Sequence, residues 1–349
     1  MALDTQNNQV WMSDSNRMRL LAYDRRPGAK LDEIAQPLRQ IRGPATGMMF
    51  IAGVAVDAGR REVYVVDNDI GDRMQVFPYD AEGNARPKRI LHVPHQAWGI
   101  SLNLKRNEIA ITVQSSNMVV IYQREASGAE APLRVLRGAN TGLADPHGVY
   151  FDAVNNELVV SNHGNWTPRR LRGRASRIGS GFDTDSPATQ TSLAAGRFEL
   201  PSIRTYPGEA QGDAEPARTI QGPLTQLNWP MGIDVDTAHN EIAVANNGDN
   251  SVLVFRRGDR GNVAPLRVLR GARTGIVGPV GIAVDAANDE LWVANYSDHS
   301  AVVFSRTANG NVAPKRILRN APAGSPTLGF TNPGAVAYDS KRDQILVPN

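Results

Sequence analysis

The chain has 349 residues, no cysteine, and 38 lysine and arginine residues against 35 aspartate and glutamate residues, a formal charge of +3. The absence of cysteine excludes disulfides, thiol nucleophiles, thiolate metal sites and c-type haem attachment. So small a charge gives no argument for nucleic acid, and no apolar run approaches the roughly twenty residues that cross a bilayer.

A unit of four short apolar runs recurs along the chain. Its most regular copy spans Gly278 to Leu318, with strand A as GIAVD, strand B as ELWVAN, strand C as SAVVFSR and strand D as PKRIL. Such runs, rich in β-branched and aromatic residues and bounded by Gly, Asn, Asp or Pro, are typical of strands. A–B pairs begin at positions 2, 53, 99, 148, 232, 281 and 335, and D strands begin at positions 37, 87, 132, 217, 265 and 314.

The period of the repeat predicts the fold. From position 53 onward the copies are spaced by 46, 49, 84 and 49 residues. Four strands per period with almost no helical signal predict an all-β fold, a β-propeller of four-stranded blades, in one domain over residues 1–349. Because seven A–B pairs accompany only six C and D strands, we predict seven blades with the last incomplete; six blades is the alternative. An incomplete blade would expose a strand edge through which a larger assembly could form.

The repeat pattern G-[IV]-x-V-D…[NDR]-E-[LIV]-x-V-[AS]-N…S-x-[LV]-V-F resembles the NHL-type repeat. The phrases GNVAPLRVLRG and GARTGIVGPVG look like bacterial proteins built from such repeats. The resemblance covers nearly the whole chain and implies a propeller, exported to the periplasm or the cell exterior. It leaves the function open, because related propellers include lyases, metal-dependent lactonases and binding scaffolds.

Residues that recur between repeats are interpreted as scaffold. Strand B ends in Asp or Asn in six of seven copies, which predicts side-chain-to-backbone hydrogen bonds at the turn that follows. Strand D repeatedly carries arginine or lysine, which we interpret as protection of an exposed sheet edge.

Residues that depart from the pattern are functional candidates. His147, just before strand A, and His163, just after strand B, belong to the same repeat, and both connections emerge on one rim of a propeller. Two imidazoles there would hold a metal or form an acid–base pair, and some NHL-type lyases are similar in using rim histidines. His95 is the nearest third ligand. Packing or solvated histidines remain the alternative.

Asp234 and Tyr150 replace the small residues that other repeats carry in the middle of strand A. An acid in that position could coordinate a cation, as the resemblance to calcium-dependent lactonase-like propellers implies, or form a water-bridged structural contact. The catalytic candidates are thus His147, His163 and Asp234, and the metal candidates are His147, His163 and His95, with calcium or zinc as the ion. Trp98, Tyr150 and Tyr296 are candidates for the pocket wall.

The fourth repeat carries an insertion, residues 164–201, of about 35 residues beyond the usual period. Loops of this length are usually functional or mobile, and its arginines are suited to phosphate, carboxylate or an acidic protein surface. Too few aromatic residues are interleaved to favour nucleic acid. The binding candidates in it are Trp166, Arg169, Arg170, Arg172, Arg174 and Arg177.

The sequence contains no G-x-S-x-G elbow, P-loop, H-E-x-x-H or EF-hand spacing. We therefore predict a non-catalytic binding or scaffold propeller that presents one rim and the basic insertion to a protein or another acidic macromolecule. The alternatives are a metal-dependent lyase or lactone hydrolase with its site at the channel mouth, and a subunit of a larger extracellular assembly.

Overall fold

The computed structural model describes residues 1–15, 17–25, 35–164, 166–167, 197–298, 300–319, 337–339 and 344–346. Of these, residues 166–167, 197–198, 337–339 and 344–346 are described by their backbone alone. Six four-stranded antiparallel sheets follow one another along the chain, each ordered A, B, C, D from the channel outward. They are the blades of a propeller.

The strands have the following bounds. Blade 1 contains β1 (Ala2–Asp4), β2 (Gln9–Asp14), β3 (Arg19–Asp24) and β4 (Arg39–Arg42). Blade 2 contains β5 (Ile51–Asp57), β6 (Glu62–Asp67), β7 (Arg73–Pro78) and β8 (Arg89–His92). Blade 3 contains β9 (Ala97–Asn103), β10 (Glu108–Val113), β11 (Met118–Gln123) and β12 (Arg134–Arg137). Blade 4 contains β13 (Pro146–Asp152), β14 (Glu157–Asn162), β17 (Ser202–Pro207) and β18 (Arg218–Gln221), with β15 (Trp166–Thr167) and β16 (Arg197–Phe198) in the insertion. Blade 5 contains β19 (Pro230–Asp236), β20 (Glu241–Asn246), β21 (Ser251–Arg256) and β22 (Arg267–Arg270). Blade 6 contains β23 (Pro279–Asp285), β24 (Glu290–Asn295), β25 (Ser300–Ser305) and β26 (Arg316–Arg319), and a separate pair follows, β27 (Ala337–Asp339) and β28 (Gln344–Leu346).

Alternate residues of one strand pack against different neighbouring blades. In β6, Val63 and Val65 join the apolar cluster shared with blade 1, whereas Tyr64 and Val66 join the cluster shared with blade 3. Both faces are buried because each sheet is covered on both sides by another sheet. The near-continuous apolar B strands in the sequence follow from this packing.

The prediction of seven blades was wrong, and the alternative of six is observed. Six apolar clusters form the six interfaces of a closed ring, and one of them joins blade 6 directly to blade 1 through Trp292 and Tyr23. The seventh repeat does form its predicted A–B pair, with Ala337 opposite Leu346. Counting strands in the sequence could not show which repeats enter the ring.

The glycine near the start of strand A in blades 2 to 5 is required by close approach of the next inner strand. A Cβ added to Gly99 would lie 2.2 Å from the carbonyl oxygen of His147, and one added to Gly148 would lie 2.4 Å from that of Met231. Both contacts are far inside van der Waals range, so only glycine fits where neighbouring inner strands converge.

The outer edge of blades 1 to 5 is covered by the loop between strands C and D of the next blade. Ile41, Leu91, Leu136, Ile220 and Leu269 of the D strands form parallel bridges to Gly83, Gly128, Gly212, Gly261 and Gly310, respectively. The residue after most of these glycines accepts a backbone N–H from the short 3-10 helix of the preceding blade; Asn84, for example, accepts from Ala45 at 2.7 Å. The repeated Gly-Asn phrase is therefore an inter-blade contact.

The strand D arginines do more than protect an edge. Arg134 forms a bidentate pair with Glu108, the first residue of strand B in the same blade, at 2.7 and 2.9 Å. Blades 2, 4, 5 and 6 repeat this pairing with Arg89 and Glu62, Arg218 and Glu157, Arg267 and Glu241, and Arg316 and Glu290. These side chains tie strand D inward to strand B.

The side chains at the end of strand B make the predicted hydrogen bonds to backbone, but most of them bond the D–A connection and not the turn that follows strand B, so the predicted place was wrong. Asp67 accepts the backbone N–H groups of Met49 and Phe50 at 2.8 and 2.9 Å. Asn162, Asn246 and Asn295 accept the N–H groups of Ala144, Asn228 and Val277, respectively. The side chains hold the D–A connection of their own blade, a structural role.

Candidate functional site: an aromatic and histidine row at the channel mouth

The connections from D to A and from B to C form one rim of the propeller, which we call the DA/BC rim. On it, the rings of His147 and His163 stack with centroids 3.4 Å apart and planes 14° apart. The two connections of blade 4 that carry these histidines are hydrogen-bonded to each other. The backbone N–H groups of His163 and Gly164 donate to the carbonyl oxygens of Asp145 and Ala144, respectively. The sequence-based pairing of the two histidines is therefore correct in space.

Asp145 completes the cluster and was missed by the sequence analysis. Its two carboxylate oxygens lie 3.6 Å from Nδ1 of His147 and 3.6 Å from Nδ1 of His163. Burial raises the pKa of Asp145, but the hydrogen bond to His163 and the nearby imidazoles outweigh this and lower it overall. The carboxylate is therefore an anion between two imidazoles. Its position in the sequence, two residues before His147, is the feature that could have identified it as a member of the cluster.

A chain of amide side chains fixes the tautomer of His147. Asn68 Nδ2 donates to the Ala97 carbonyl at 2.7 Å, so this amide cannot be reversed, and the same group donates to Gln114 Oε1 at 3.2 Å. Gln114 must therefore point its Nε2 at His147 Nε2, 2.5 Å away, which accepts with its lone pair. The ring proton is left on Nδ1, facing the Asp145 carbonyl oxygen at 3.2 Å.

His147 is neutral at physiological pH. Burial of the ring, followed by the charge of His163, lowers its pKa to about 3, against the opposing effect of Asp145. Both ring nitrogens are committed, one to Gln114 and one to Asp145. This ring has no free nitrogen with which to exchange a proton with a ligand.

The three side chains have the spacing of metal ligands but not the orientation. Ligand atoms of Asp145, His147 and His163 all lie within 4.8 Å of one another. An imidazole binds a metal in its own plane, however, and two nearly parallel rings 3.4 Å apart cannot both direct a lone pair at one ion. His147 Nδ1 also carries a proton. In this arrangement the residues do not fit a zinc or calcium ion.

His95 is separate from the cluster. Its Nδ1 lies 2.8 Å from Asp72 Oδ1 in the loops of blades 2 and 3, and both side chains are substantially exposed. The proposed third metal ligand is therefore paired elsewhere, and it does not belong to the group of three.

Trp98 packs across the mouth of the channel. It belongs to blade 3, yet its side chain contacts the apolar cluster of blades 5 and 6, which includes Met231 and Ile282. Its ring also lies 5.0 Å from that of His147 and 6.5 Å from that of Phe50. Trp98 therefore reaches from blade 3 towards blades 5 and 6.

Asp234 has a structural role in the channel. Its two oxygens accept the backbone N–H of Val235 at 2.8 Å and that of Val284, on the inner strand of the next blade, at 2.7 Å. Burial raises the pKa of Asp234 to about 6, more than these two hydrogen bonds lower it. It does not belong to the histidine cluster.

The other candidate wall residues are distributed around the ring. Tyr150 packs against the apolar cluster of blades 4 and 5, and burial, followed by the charge of Asp234, raises its pKa. Tyr296 lies in blade 6, where its N–H donates to the Gly278 carbonyl at 2.9 Å. That these two tyrosines form one pocket wall with Trp98 stays a prediction.

Trp229 extends the row of rings onto the surface. Its indole stacks on His163 with a centroid distance of 5.8 Å and an interplanar angle of 10°. The residue is 59% exposed and has a backbone φ of 49°. The sequence analysis did not select it, although it lies two residues before Met231 just as Asp145 lies two before His147.

The arginine-rich insertion is described only at its base. Backbones of Trp166 and Phe198, and of Thr167 and Arg197, pair in a two-residue antiparallel ladder. The candidate residues Arg169, Arg170, Arg172, Arg174 and Arg177 lie outside the described residues. The ladder begins directly after His163 and Gly164, at the row of rings.

The fold defines the chain as a six-bladed β-propeller. Searches with family models and among curated proteins found no match. Among solved structures, it is similar to a chain of a nidogen/laminin complex, at 16% identity and a TM-score of 0.54, covering 89% of this chain and 96% of the other. It is also similar to a functionally unknown protein from Desulfotomaculum acetoxidans DSM 771, at 15% identity and a TM-score of 0.55, covering 92% and 88%. At these identities the likeness shows the fold alone.

Among the described residues, no helix has the length and apolar character needed to cross a membrane.

Proposed function

We propose that this chain is a binding propeller that docks a partner protein on its DA/BC rim. The observation that carries the proposal is the distribution of exposed large apolar side chains. Seven of the fourteen in the described part of the chain lie in the connections of this rim, whereas Leu104 and Val154 lie in A–B connections, Leu38, Leu133, Leu266 and Val312 lie in C–D connections, and Ile90 lies in strand D. The seven are Met18, Met49, Ile70, Leu200, Leu224, Trp229 and Val277.

Apolar side chains concentrated on one surface favour protein association. The similarity to a propeller from a nidogen/laminin complex agrees with a protein partner by analogy only. The basic insertion emerges at the same rim, and we propose that its arginines add contacts to an acidic part of the partner. The NHL-type assignment, a periplasmic or extracellular location, and assembly through the seventh repeat rest on the sequence patterns alone.

Affinity capture from the source organism's extracts tests the proposal. Immobilised wild-type protein should retain a partner that is lost with the double variant Met49→Ala/Ile70→Ala or on deletion of residues 165–200. The matched control is Leu104→Ala/Val154→Ala on the opposite face, which should retain the partner. Equal capture by the wild type and both rim variants would refute the proposal.

A second candidate function is the metal-dependent lyase or lactone hydrolase. It is favoured by the convergence of Asp145, His147 and His163 within 4.8 Å, and it is opposed by the ring stacking and by the tautomer of His147. Zinc in the purified protein at one ion per chain, lost in His163→Ala, would favour this function over the binding propeller.

A further inference from the structure

Trp229 occupies a backbone conformation that is unfavourable for its side chain. Its φ of 49° lies in the left-handed region, where a bulky residue is an outlier. The same slot, directly before strand A, also has positive φ in blades 3, 4 and 6, where it holds Gln96, Asp145 and Gly278. Only in blade 5 does an aromatic residue occupy this slot at positive φ.

The exposure of Trp229 is also unusual. The indole is 59% exposed. Burial of the ring therefore offsets little of the energetic cost of the left-handed backbone conformation. A strained conformation retained in a folded protein points to a functional constraint. Glycine would satisfy the backbone at this slot, as Gly278 does in blade 6, which means that the fold itself does not require tryptophan.

The indole is held in place by a rigid support. It stacks on His163, which stacks on His147, whose ring is fixed by Gln114 and Asp145. The backbone is also tied, because the Trp229 carbonyl accepts the N–H of Asn247 at 3.1 Å. An aromatic group ordered in advance loses little conformational entropy on binding.

The described residues near Trp229 are exposed leucines and uncharged polar residues, and the described charges nearby are paired. Leu224 lies in the same loop, and the Leu200 carbonyl is bound by Gln221 at 2.9 Å; both leucines are exposed. Asp249 pairs with Arg270 at 2.9 Å, and Asp145 lies between the histidines. A cation already committed to a carboxylate is poorly suited to bind phosphates or anionic lipid, so the described part of this patch is complementary to an uncharged apolar surface; the candidate arginines of the insertion lie outside the described residues.

We propose that Trp229, with Leu200 and Leu224, anchors an uncharged segment of a partner protein through an apolar side chain such as Leu, Phe or Pro. The inference rests on the proposed function and deepens it, because it identifies the central contact of the DA/BC rim and the chemistry of its occupant. Tryptophan is one of the residue types enriched at such energetic centres.

Gln226 provides a matched control. It lies in the same loop, is exposed, and has a φ of 59° in a slot that holds Gly47, Gly142 and Gly275 in other blades. Gln226→Gly therefore changes the backbone in the same way as Trp229→Gly without removing an aromatic ring. Both variants should fold, because glycine adopts the left-handed conformation without steric strain. Circular dichroism and thermal unfolding check that they do.

The probe is a phage-displayed library of random 12-residue peptides, selected on immobilised wild-type protein. Selected peptides should be enriched in Leu, Phe or Pro and poor in charge, and synthetic copies should bind Trp229→Gly at least ten-fold more weakly. Their affinity for Gln226→Gly and Val154→Ala should stay within two-fold of wild type. Binding to Trp229→Gly within two-fold of wild type, or selection of charged peptides whose binding is abolished by salt, would overturn the inference.

Different results would refute the DA/BC rim as the binding face and Trp229 as its central residue. Peptides that lose affinity for Met49→Ala/Ile70→Ala but not for Trp229→Gly would leave the DA/BC rim as the binding face and refute Trp229 as its centre. Peptides unaffected by any rim variant, or no enrichment over an uncoated surface, would refute both.

Discussion

Arg25, the residue after strand C of blade 1, forms a buried ion pair with Asp285, the last residue of strand A of blade 6. Adjacent blades inside the ring repeat this contact, with Arg124 against Asp57 at 2.6 Å, Arg306 against Asp236 at 3.6 Å, and Tyr79 in place of arginine against Asp4 at 2.6 Å. Blade 1 is thus joined to blade 6 by the contact that also joins blades 2, 3 and 6 to the blade before them. Ring closure uses the ordinary contact between neighbours.

Replacing Arg25 should therefore destabilise the whole ring. Arg25→Ala leaves the carboxylate of Asp285 buried without this partner, which costs about 3–5 kcal/mol. Urea unfolding monitored by tryptophan fluorescence measures the loss. The double variant Arg25→Ala/Asp285→Asn should recover part of it, because no charge is then left buried.

An exposed pair serves as the control for this measurement. Arg60 and Glu125 are 40% and 50% exposed, and such pairs contribute no more than about 1 kcal/mol. Arg60→Ala should change the free energy of unfolding by no more than that. A loss for Arg25→Ala no larger than for Arg60→Ala would contradict the closure described here.

The contribution of Asp234 to the free energy of unfolding should fall as pH rises. Its folded pKa of about 6 exceeds the ordinary value of 3.8, so between these values the folded state holds a proton that the unfolded state has released. The contribution is most favourable below about pH 4 and is lost as pH rises through 6, by at most about 3 kcal/mol.

Asp234→Asn isolates this effect from the other carboxylates. Asparagine keeps one acceptor oxygen but has no charge, so the variant should be less stable than wild type at pH 4, where a hydrogen bond is lost. The difference should shrink or reverse by pH 7.5. Parallel stability curves for the two proteins across this range would show that Asp234 does not titrate as described.

The tautomer of His147 can be read by NMR. Imidazole ¹⁵N shifts should identify Nδ1 as protonated and Nε2 as unprotonated, because Gln114 donates to Nε2. Gln114→Glu replaces that donor with an acceptor, so the proton should move to Nε2 and the pKa of His147 should rise above about 3. An Nε2-protonated ring in the wild type would contradict the hydrogen-bond chain from Asn68.

Added zinc should not stabilise the protein. Binding to the folded state alone raises the melting temperature as ligand concentration exceeds the dissociation constant, whereas stacked rings with a proton on His147 Nδ1 do not form a chelate. Thermal unfolding with and without excess zinc should give the same midpoint in wild type and in His163→Ala. A rise in the wild type that the variant lacks would show that the rings reorient to bind metal.

Much of the fold could be predicted from the sequence because the repeats are nearly identical. The strands, the side-chain-to-backbone bonding of Asp67 and Asn162, and the shared rim of His147 and His163 all follow from aligning one repeat with another, although the backbone that Asp67 and Asn162 bond lies before strand A and not in the predicted turn. The number of blades could not be predicted, since it depends on whether blade 6 packs against blade 1. That contact is made by Arg25 and by apolar residues that look like those of any other blade.

The site was harder to predict because its key features depend on side-chain geometry. The spacing of His147 and His163 is compatible with metal ligation, and only the parallel stacking of the rings argues against it. Asp145 and Trp229 stand in a slot whose left-handed backbone is invisible in the sequence. Asp234 looked like a ligand-binding acid, although its oxygens accept N–H groups of Val235 and Val284.

Because the outer strand of a blade is covered by the blade that follows it in the chain, the blades can be completed in order during synthesis. As the chain leaves the ribosome, blade 1 keeps an unprotected border until Gly83 of blade 2 reaches Ile41, and every later blade in turn shields its predecessor. A partly synthesised chain therefore has one uncovered outer strand edge, which belongs to its most recently completed blade. The last border is at Arg319, whose carbonyl accepts the N–H of Ala35 from the first blade made.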